Sequence, residues 1–487
     1  MIEKYLFIGI FALTLVGIAI LSARKAKNYQ EYNLAGRRLG FSRLVATLGA
    51  AEFNTATLIG GASVAYSYGF VGLWYTSLIF IFVFGIYALT VARPYRRLEI
   101  NTIAEFFERR FTGKNSELTR GVASFVTLTF TWIAPSTYLA GLAVITSVLL
   151  GVSPLTTVVV LTIFVLILAL AGGFLTAVSI DVVAYVLILI FVPVMFYIGY
   201  SNSGGFGAFS SVYEAEFLSL EPVWDLESFG FAAILTWGLQ NILLYVAAPW
   251  YGQRIFSAKT EKIAYRAMLA NTVLITVLYG TVVLTTMFSR VLLPELDAAE
   301  EALPTLVNEF APPILQGLIL VTLLLVGIST MVAIWNSAVS IVINDFVRRY
   351  FARNKSDNYY IWASRVVFVI LGASTLFFAL TFIGSILLAL TYVSVFTAML
   401  AFPILAGLYW KRFNTTAALA SLVVSCLYVS VALILSFPYH LISPVGFVIS
   451  VVVGTIVALV HTEERDEEAL DEFFALAHGE SKVKTDA

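Results

Sequence analysis

Thirteen runs of about twenty apolar residues, set apart by short polar stretches, limit this chain more than any other feature. They fall near 5–22, 43–69, 71–93, 121–150, 153–172, 175–200, 229–251, 264–293, 313–344, 360–383, 385–409, 416–436 and 441–461. A run of that length crosses a bilayer core as a helix, and a helix satisfies its own backbone donors and acceptors. Composition agrees: 60% of the 487 residues are hydrophobic and 12% charged, against about 45–50% and about 25% in soluble domains. The sequence therefore predicts an all-α, multi-pass protein of the cell (plasma) membrane. Its surroundings would be the lipid bilayer, with no nucleic acid as partner, and its state a monomer or weak oligomer. The first run is followed by Arg24, Lys25 and Lys27 with no small-residue cleavage site, and reads as a retained helix. One cysteine, Cys426, excludes an internal disulfide, and His440, His461 and His478 have no metal-ligand spacing.

Charge sets the expected sidedness. With thirteen spans, all but Lys4 and Arg290 of the 29 basic residues fall on one side. The positive-inside rule makes that side cytoplasmic, with the N-terminus outside and the C-terminus inside. Two outer loops, 201–228 and 294–312, are acidic. They read as solvated faces, or as attractors of cations towards an entrance. Asn101–Phe111 carries a capping box at Thr102 and Glu105 and predicts a short surface helix. The charged tail predicts one helix around Asp466–Leu476.

The run Ala46–Gly69, ATLGAAEFNTATLIGGASVAYSYG, is unlike an ordinary span. It contains Glu52, three threonines and Gly60-Gly61, a pair that weakens a helix and is expected to break this one. Interrupted spans point to a transporter's binding site. Glu52 and Asp181 are the two charged residues left deep in apolar runs once the loops are assigned; such groups are functional hypotheses by default. Val326, Ser329 and Thr330 bring a carbonyl and two hydroxyls to one helix face. That oxygen-only set suits a hard monovalent cation, although Ser and Thr on membrane helices commonly bond their own backbone.

Five stretches then acquire a shared meaning: YNLAGRRL at 32–39, NTATLIGGASVAYSYG at 54–69, NTIAEFFERRF at 101–111, GGFLTAVSID at 172–181 and STMVAIWNSAVSIVINDFVRRYF at 329–351. In order and spacing they resemble the sodium/solute symporter family, the group of proline, pantothenate, sialic acid and sodium/glucose symporters. The resemblance implies a LeuT-type five-plus-five inverted repeat, 43–200 against 229–409. Segment 1–42 precedes it, two helices in 410–461 follow, and 462–487 forms the tail. It also implies a sodium site from the carbonyls of Thr55, Leu58 and Val326 and the hydroxyls of Ser329 and Thr330, with Ala56 and Ile59 as the other carbonyl register. Asp181 matches the family aspartate and would lie on the ion path; Glu52 has no clear family counterpart and is set on that path beside it only as the other buried carboxylate, its role left open.

The substrate is expected among Gly60, Gly61, Trp74, Tyr138, Trp237, Asn241, Tyr245 and Pro249. Val332 and Ala333 lack the side-chain oxygens of a second sodium site, so one sodium per cycle is expected. Phe70–Leu78 lacks the glutamate used by sugar-carrying members, which favours an amino acid such as proline, or a small carboxylate, over a sugar. The expected function is thus sodium-coupled import by alternating access. The alternative is a proton-coupled carrier using Glu52 or Asp181. No enzymatic constellation is present in the sequence, and the 26 residues after His461 are too few for a signalling domain.

Overall fold

The computed structural model of the chain describes residues 2–25, 28–113, 115–221, 223–224, 229–382, 386–463 and 466–480. Asp225 and Glu227 of the first acidic loop, and the last seven residues of the tail, lie outside them.

Helices dominate throughout. The described residues hold one isolated bridge, Leu39 to Ala258. After α1 (Ile2–Lys25) and the short α2 (Tyr29–Leu34), the chain turns through Arg37, whose guanidinium donates to the carbonyls of Phe256, Glu99 and Ile100. The first broken helix follows as α3 (Phe41–Glu52) and α4 (Thr55–Tyr68). Next come α5 (Val71–Thr76), α6 (Ile79–Tyr87) and, after a widened π turn, α7 (Arg93–Arg97). The surface helix α8 (Ile103–Arg110) leads to α9 (Ser116–Leu150) and α10 (Pro154–Ser203). A second broken helix, α11 (Phe231–Val246) and α12 (Pro249–Phe256), bends by 42°. The chain continues through α13 (Glu261–Leu292), α14 (Ala302–Phe310) and α15 (Pro313–Ile341), the last extended by π turns to Phe351. Then follow α16 (Asp357–Ala379), α17 (Ile386–Ala398), α18 (Ala401–Tyr409), α19 (Thr415–Ile434), α20 (Tyr439–Val460) and α21 (Glu467–His478).

Ten of these stretches are long and apolar enough to cross a membrane, or eleven when α11 and α12 are taken as one span. The expected runs 153–172 and 175–200 form a single element, α10, in which both Gly172 and Gly173 leave helical geometry. Gly173 has φ +57°, and an added Cβ there would sit 2.7 Å from the Tyr32 ring. Only glycine takes that backbone at so close an approach.

The centre of the bundle is α15. All its side chains from Ile319 to Ile341 are buried, and it packs against α3, α9, α10 and α12. Its apolar character on every face is what enclosure by other helices requires. The outward sides of α1, α16, α19 and α20 instead expose large apolar residues such as Leu13, Phe377, Leu427 and Ile456, as surfaces facing lipid do.

Half of the capping box forms as expected: Thr102 accepts the Glu105 N–H, while the Glu105 carboxylate reaches one residue past the N-cap, to the N–H of Asn101. The tail helix also forms, capped by Asp466. The break in the first core helix is elsewhere than expected. Gly60 and Gly61 lie inside the continuous α4. Their lack of side chains serves packing: a Cβ on Gly61 would lie 1.8 Å from Cγ2 of Thr76, and one on Gly60 would lie 2.9 Å from Cβ of Leu387. The helix breaks six residues earlier, at Phe53-Asn54.

Candidate functional site

Asn54 makes the break. Its backbone is extended (φ −112°, ψ 157°) and its side-chain oxygen accepts the N–H of Thr57 at 2.9 Å, an N-cap for α4. Its own N–H donates to the hydroxyl of Tyr279 at 3.2 Å, and its amide NH2 to the carbonyl of Glu52 at 2.8 Å. An unbroken helix would have sent the N–H groups of Asn54 and Thr57 to the carbonyls of Ala50 and Phe53. Both carbonyls are thereby released, in the interior of the bundle. Thr55, Ala56, Leu58 and Ile59, the expected carbonyl ligands, are all buried, but they sit in the regular part of α4. Their oxygens are not the ones the break frees.

The second break, at Ala247-Ala248, restarts as α12 with Pro249 at its first position. Tyr245, just before it, and Tyr251, just after it, both donate to the same oxygen, Oε2, of Glu52; the Tyr251 bond is 3.0 Å. Tyr251 also reaches the carbonyl of Leu48, and Tyr279 that of Glu52. The two broken helices are therefore joined at their breaks through one carboxylate, which is 1% exposed.

Below this junction, Asp181 on α10 meets Arg254 on α12 at 2.7 Å. Both are fully buried. The hydroxyl of Thr47 on α3 also donates to Asp181. Arg254 makes further bonds to the carbonyl of Thr47 at 2.9 Å and that of Trp250 at 2.9 Å. The sequence reading left Arg254 in a basic loop. It is instead fully buried within the second broken helix, paired with Asp181. Asp345 is also buried, paired with Arg120 at 2.7 Å and bonded by Thr102 at 3.0 Å.

On α15, Ser329 and Thr330 both donate to the carbonyl of Val326, at 3.2 and 2.9 Å. All three are buried, and α15 packs on both α3 and α4. The hydroxyl lone pairs stay available to a cation.

The remaining expected substrate residues separate. Tyr138 is buried on α9, and its carbonyl accepts the Thr55 hydroxyl at 2.8 Å, pinning the start of α4. Trp237 donates to the carbonyl of Tyr75 on α5, whereas Asn241 donates one turn back to the carbonyl of Trp237 on its own helix. Trp74 does not join the Glu52 junction; its indole donates to Leu220 in the loop after α10. Gly60 and Gly61 are packing positions, as described. Sequence reasoning missed Tyr251, Tyr279 and the role of Asn54. Tyr251 lies two residues after the proline that restarts its helix, which is a usable signal. Tyr279 sits in an ordinary apolar run and has none.

A family model described as the sodium:solute symporter family matches residues 32–425. A sodium/glucose cotransporter of Vibrio parahaemolyticus is 25% identical, over 86% of this chain and 82% of its own length. The osmoregulated proline transporter OpuE of Bacillus subtilis is 25% identical over 94% of this chain and 95% of its own. In fold, the chain is similar to a substrate-bound, outward-open sodium-coupled sialic acid symporter, with a TM-score of 0.81 at 18% identity over 95% of this chain and 99% of the other.

Proposed function

The chain belongs to the sodium:solute symporter family, and from that premise we propose that it imports a small polar organic solute together with sodium by alternating access. One observation carries this reading. Two helices are interrupted within the bundle, and the tyrosines flanking the second interruption bond the carboxylate at the first. Irregular backbone at membrane depth is tolerated where it is buried in protein or lines a cavity, and paired interruptions mark transporter binding sites.

The thirteen-span arrangement follows by counting α3 and α4 as one broken span, α11 and α12 as another, and α10 as two spans divided at Gly172-Gly173. The N-terminus is then outside and the C-terminus inside. The repeats pair 43–200 with 229–409, so the two broken helices are the first member of each. The flanks are 1–42 and 410–461, with 462–487 as the tail.

Sodium would be held between the first broken helix and α15. The hydroxyls of Ser329 and Thr330 and the carbonyl of Val326 contribute from α15. From the first helix the released carbonyls of Ala50 and Phe53 serve better than those of Thr55 and Leu58, because a carbonyl already in a helical ladder has less of its dipole to offer. Binding there ties the two helices together and favours the outward-facing state. Membrane potential drives the charge inward with about 2.3 kcal/mol per 100 mV.

The solute is an amino acid or small carboxylate in preference to a sugar, since Phe70–Leu78 contains no acidic side chain. Ser329→Ala and Thr330→Ala should each weaken binding of radiolabelled sodium by about tenfold, equivalent to ~1.4 kcal/mol. Wild-type sodium affinity in both variants would remove the assignment. With one sodium per cycle, the sodium dependence of uptake should have a Hill coefficient near unity.

A second reading, proton coupling, is favoured by Glu52, a buried carboxylate with no cationic partner among the described residues. Uptake measured against pH, with sodium and with potassium, separates the two.

A further inference from the structure

Among the described residues, buried carboxylates come with a guanidinium, with one exception. Asp181 has Arg254, and Asp345 has Arg120. Glu52 is as enclosed as either, yet no Lys, Arg or His among the described residues comes within ion-pair distance of it. Its two phenol donors both occupy Oε2, and Oε1 has no hydrogen-bond partner. A charge held out of water needs a compensating charge and filled hydrogen-bond positions. Among the described residues, neither is supplied to Oε1.

The surroundings indicate what does. Tyr245 and Tyr251 pack edge to face at 5.0 Å, Phe84 lies 5.7 and 5.5 Å from them, and Trp250 lies 5.9 Å from Tyr245. A cluster of aromatic rings beside a carboxylate recognises an amine or a quaternary nitrogen through ring faces and charge together. A bare metal ion gains less from ring faces than from carbonyl oxygens. Three residues further along, α4 begins. The N–H groups of Thr55 and Ala56 have no acceptor in the first turn of any helix, and they suit an anionic group.

We propose that Glu52 Oε1 is the counter-charge for the cationic nitrogen of a zwitterionic solute, whose carboxylate turns to the start of α4. This rests on the symport reading and narrows its solute to amino acids and betaines. Simple carboxylates and sugars are excluded because neither supplies a cation to Oε1. The nitrogen enters the junction of the two broken helices, so the solute itself completes the link between the halves.

The test uses the purified full-length protein in a thermal-shift assay, in sodium and in potassium. The proteinogenic amino acids and glycine betaine are compared with monocarboxylates and hexoses. At least one amine-bearing compound should stabilise the wild type in sodium alone, and no monocarboxylate or hexose should do so. Glu52→Gln should keep the shift given by sodium without solute, which also reports that it folds. It should lose affinity for the amine-bearing compound by about 30-fold or more, as removal of one partner of a buried charge pair does. Glu52→Asp keeps the charge and should retain part of the affinity. Wild-type solute affinity in Glu52→Gln overturns the proposal, as does stabilisation by a monocarboxylate or hexose, or no response to any amine-bearing compound. Loss of the sodium-only shift in Glu52→Gln overturns it too, by making Glu52 an ion ligand. A wild type that shows no sodium shift defeats the symport reading instead.

Discussion

Arg254 and Asp181 show how much one residue's position decides. Each is fully buried, and together with Thr47 they join α3, α10 and α12. Breaking such a pair from one side leaves a charge without compensation, which costs about 3–5 kcal/mol. Arg254→Met should therefore lower stability by that amount in chemical or thermal unfolding. The double variant Arg254→Met/Asp181→Asn should recover a large part of the loss, since neither charge remains. Equal damage in the single and double variants would mean that the pair matters through shape and not charge. Asp181 was legible in the sequence as a carboxylate in an apolar run. Arg254 was not, because a basic residue after an apolar run looks like a loop residue until the next helix is seen to fold over it.

At the scale of the element, the informative feature is the first broken helix. Two glycines in the middle of an apolar run read as a break, because glycine weakens helices. The packed structure uses them differently, since α5 and α17 come too close to α4 for any side chain. Gly61→Ala should then destabilise the protein by about 1–3 kcal/mol through overpacking. Thr76→Ser removes the methyl carbon that the new Cβ would strike, and Gly61→Ala/Thr76→Ser should restore most of the loss in a thermal melt. A hinge at Gly61 would give no such rescue. The actual break is set by Asn54, whose side chain caps α4 and ties back to Glu52. A cap of this kind is local chemistry. What made it hard to see is that its N–H partner, Tyr279, lies 225 residues away.

The whole molecule is closed at its basic end by a network that spans the sequence. Arg97 binds Glu261 and the carbonyl of Ala477, and Arg349 and Arg120 share Glu108. The terminal α21 lies on this surface. Phe473 and Phe474 are buried over the Arg110 guanidinium, which donates to the carbonyls of Gly407 and Phe413 at 2.7 and 2.9 Å. A helix of 12 residues is marginal alone in water, so its order depends on docking. Amides of 467–478 should be protected in hydrogen exchange, and Phe473→Ala/Phe474→Ala should remove that protection while leaving α15 protected. Unchanged exchange in the double variant would show that α21 is held by other contacts.

Apolar run length, charge bias and capping signals are local properties, and from them the sequence determined an all-helical membrane protein, its surface helix and its tail helix. The family motifs added the likeness that the family model bears out over residues 32–425. The tertiary structure decided which carbonyls are free, that Gly60-Gly61 is a packing site, that Arg254 is buried, and that Glu52 meets Tyr245 and Tyr251. Each of these depends on contacts between elements far apart in the chain, where burial, and not residue type, sets what a side chain does. Glu52 was visible as an anomaly from the start; only the fold shows that, among the described residues, Asp181 and Asp345 each have a basic partner and Glu52 does not.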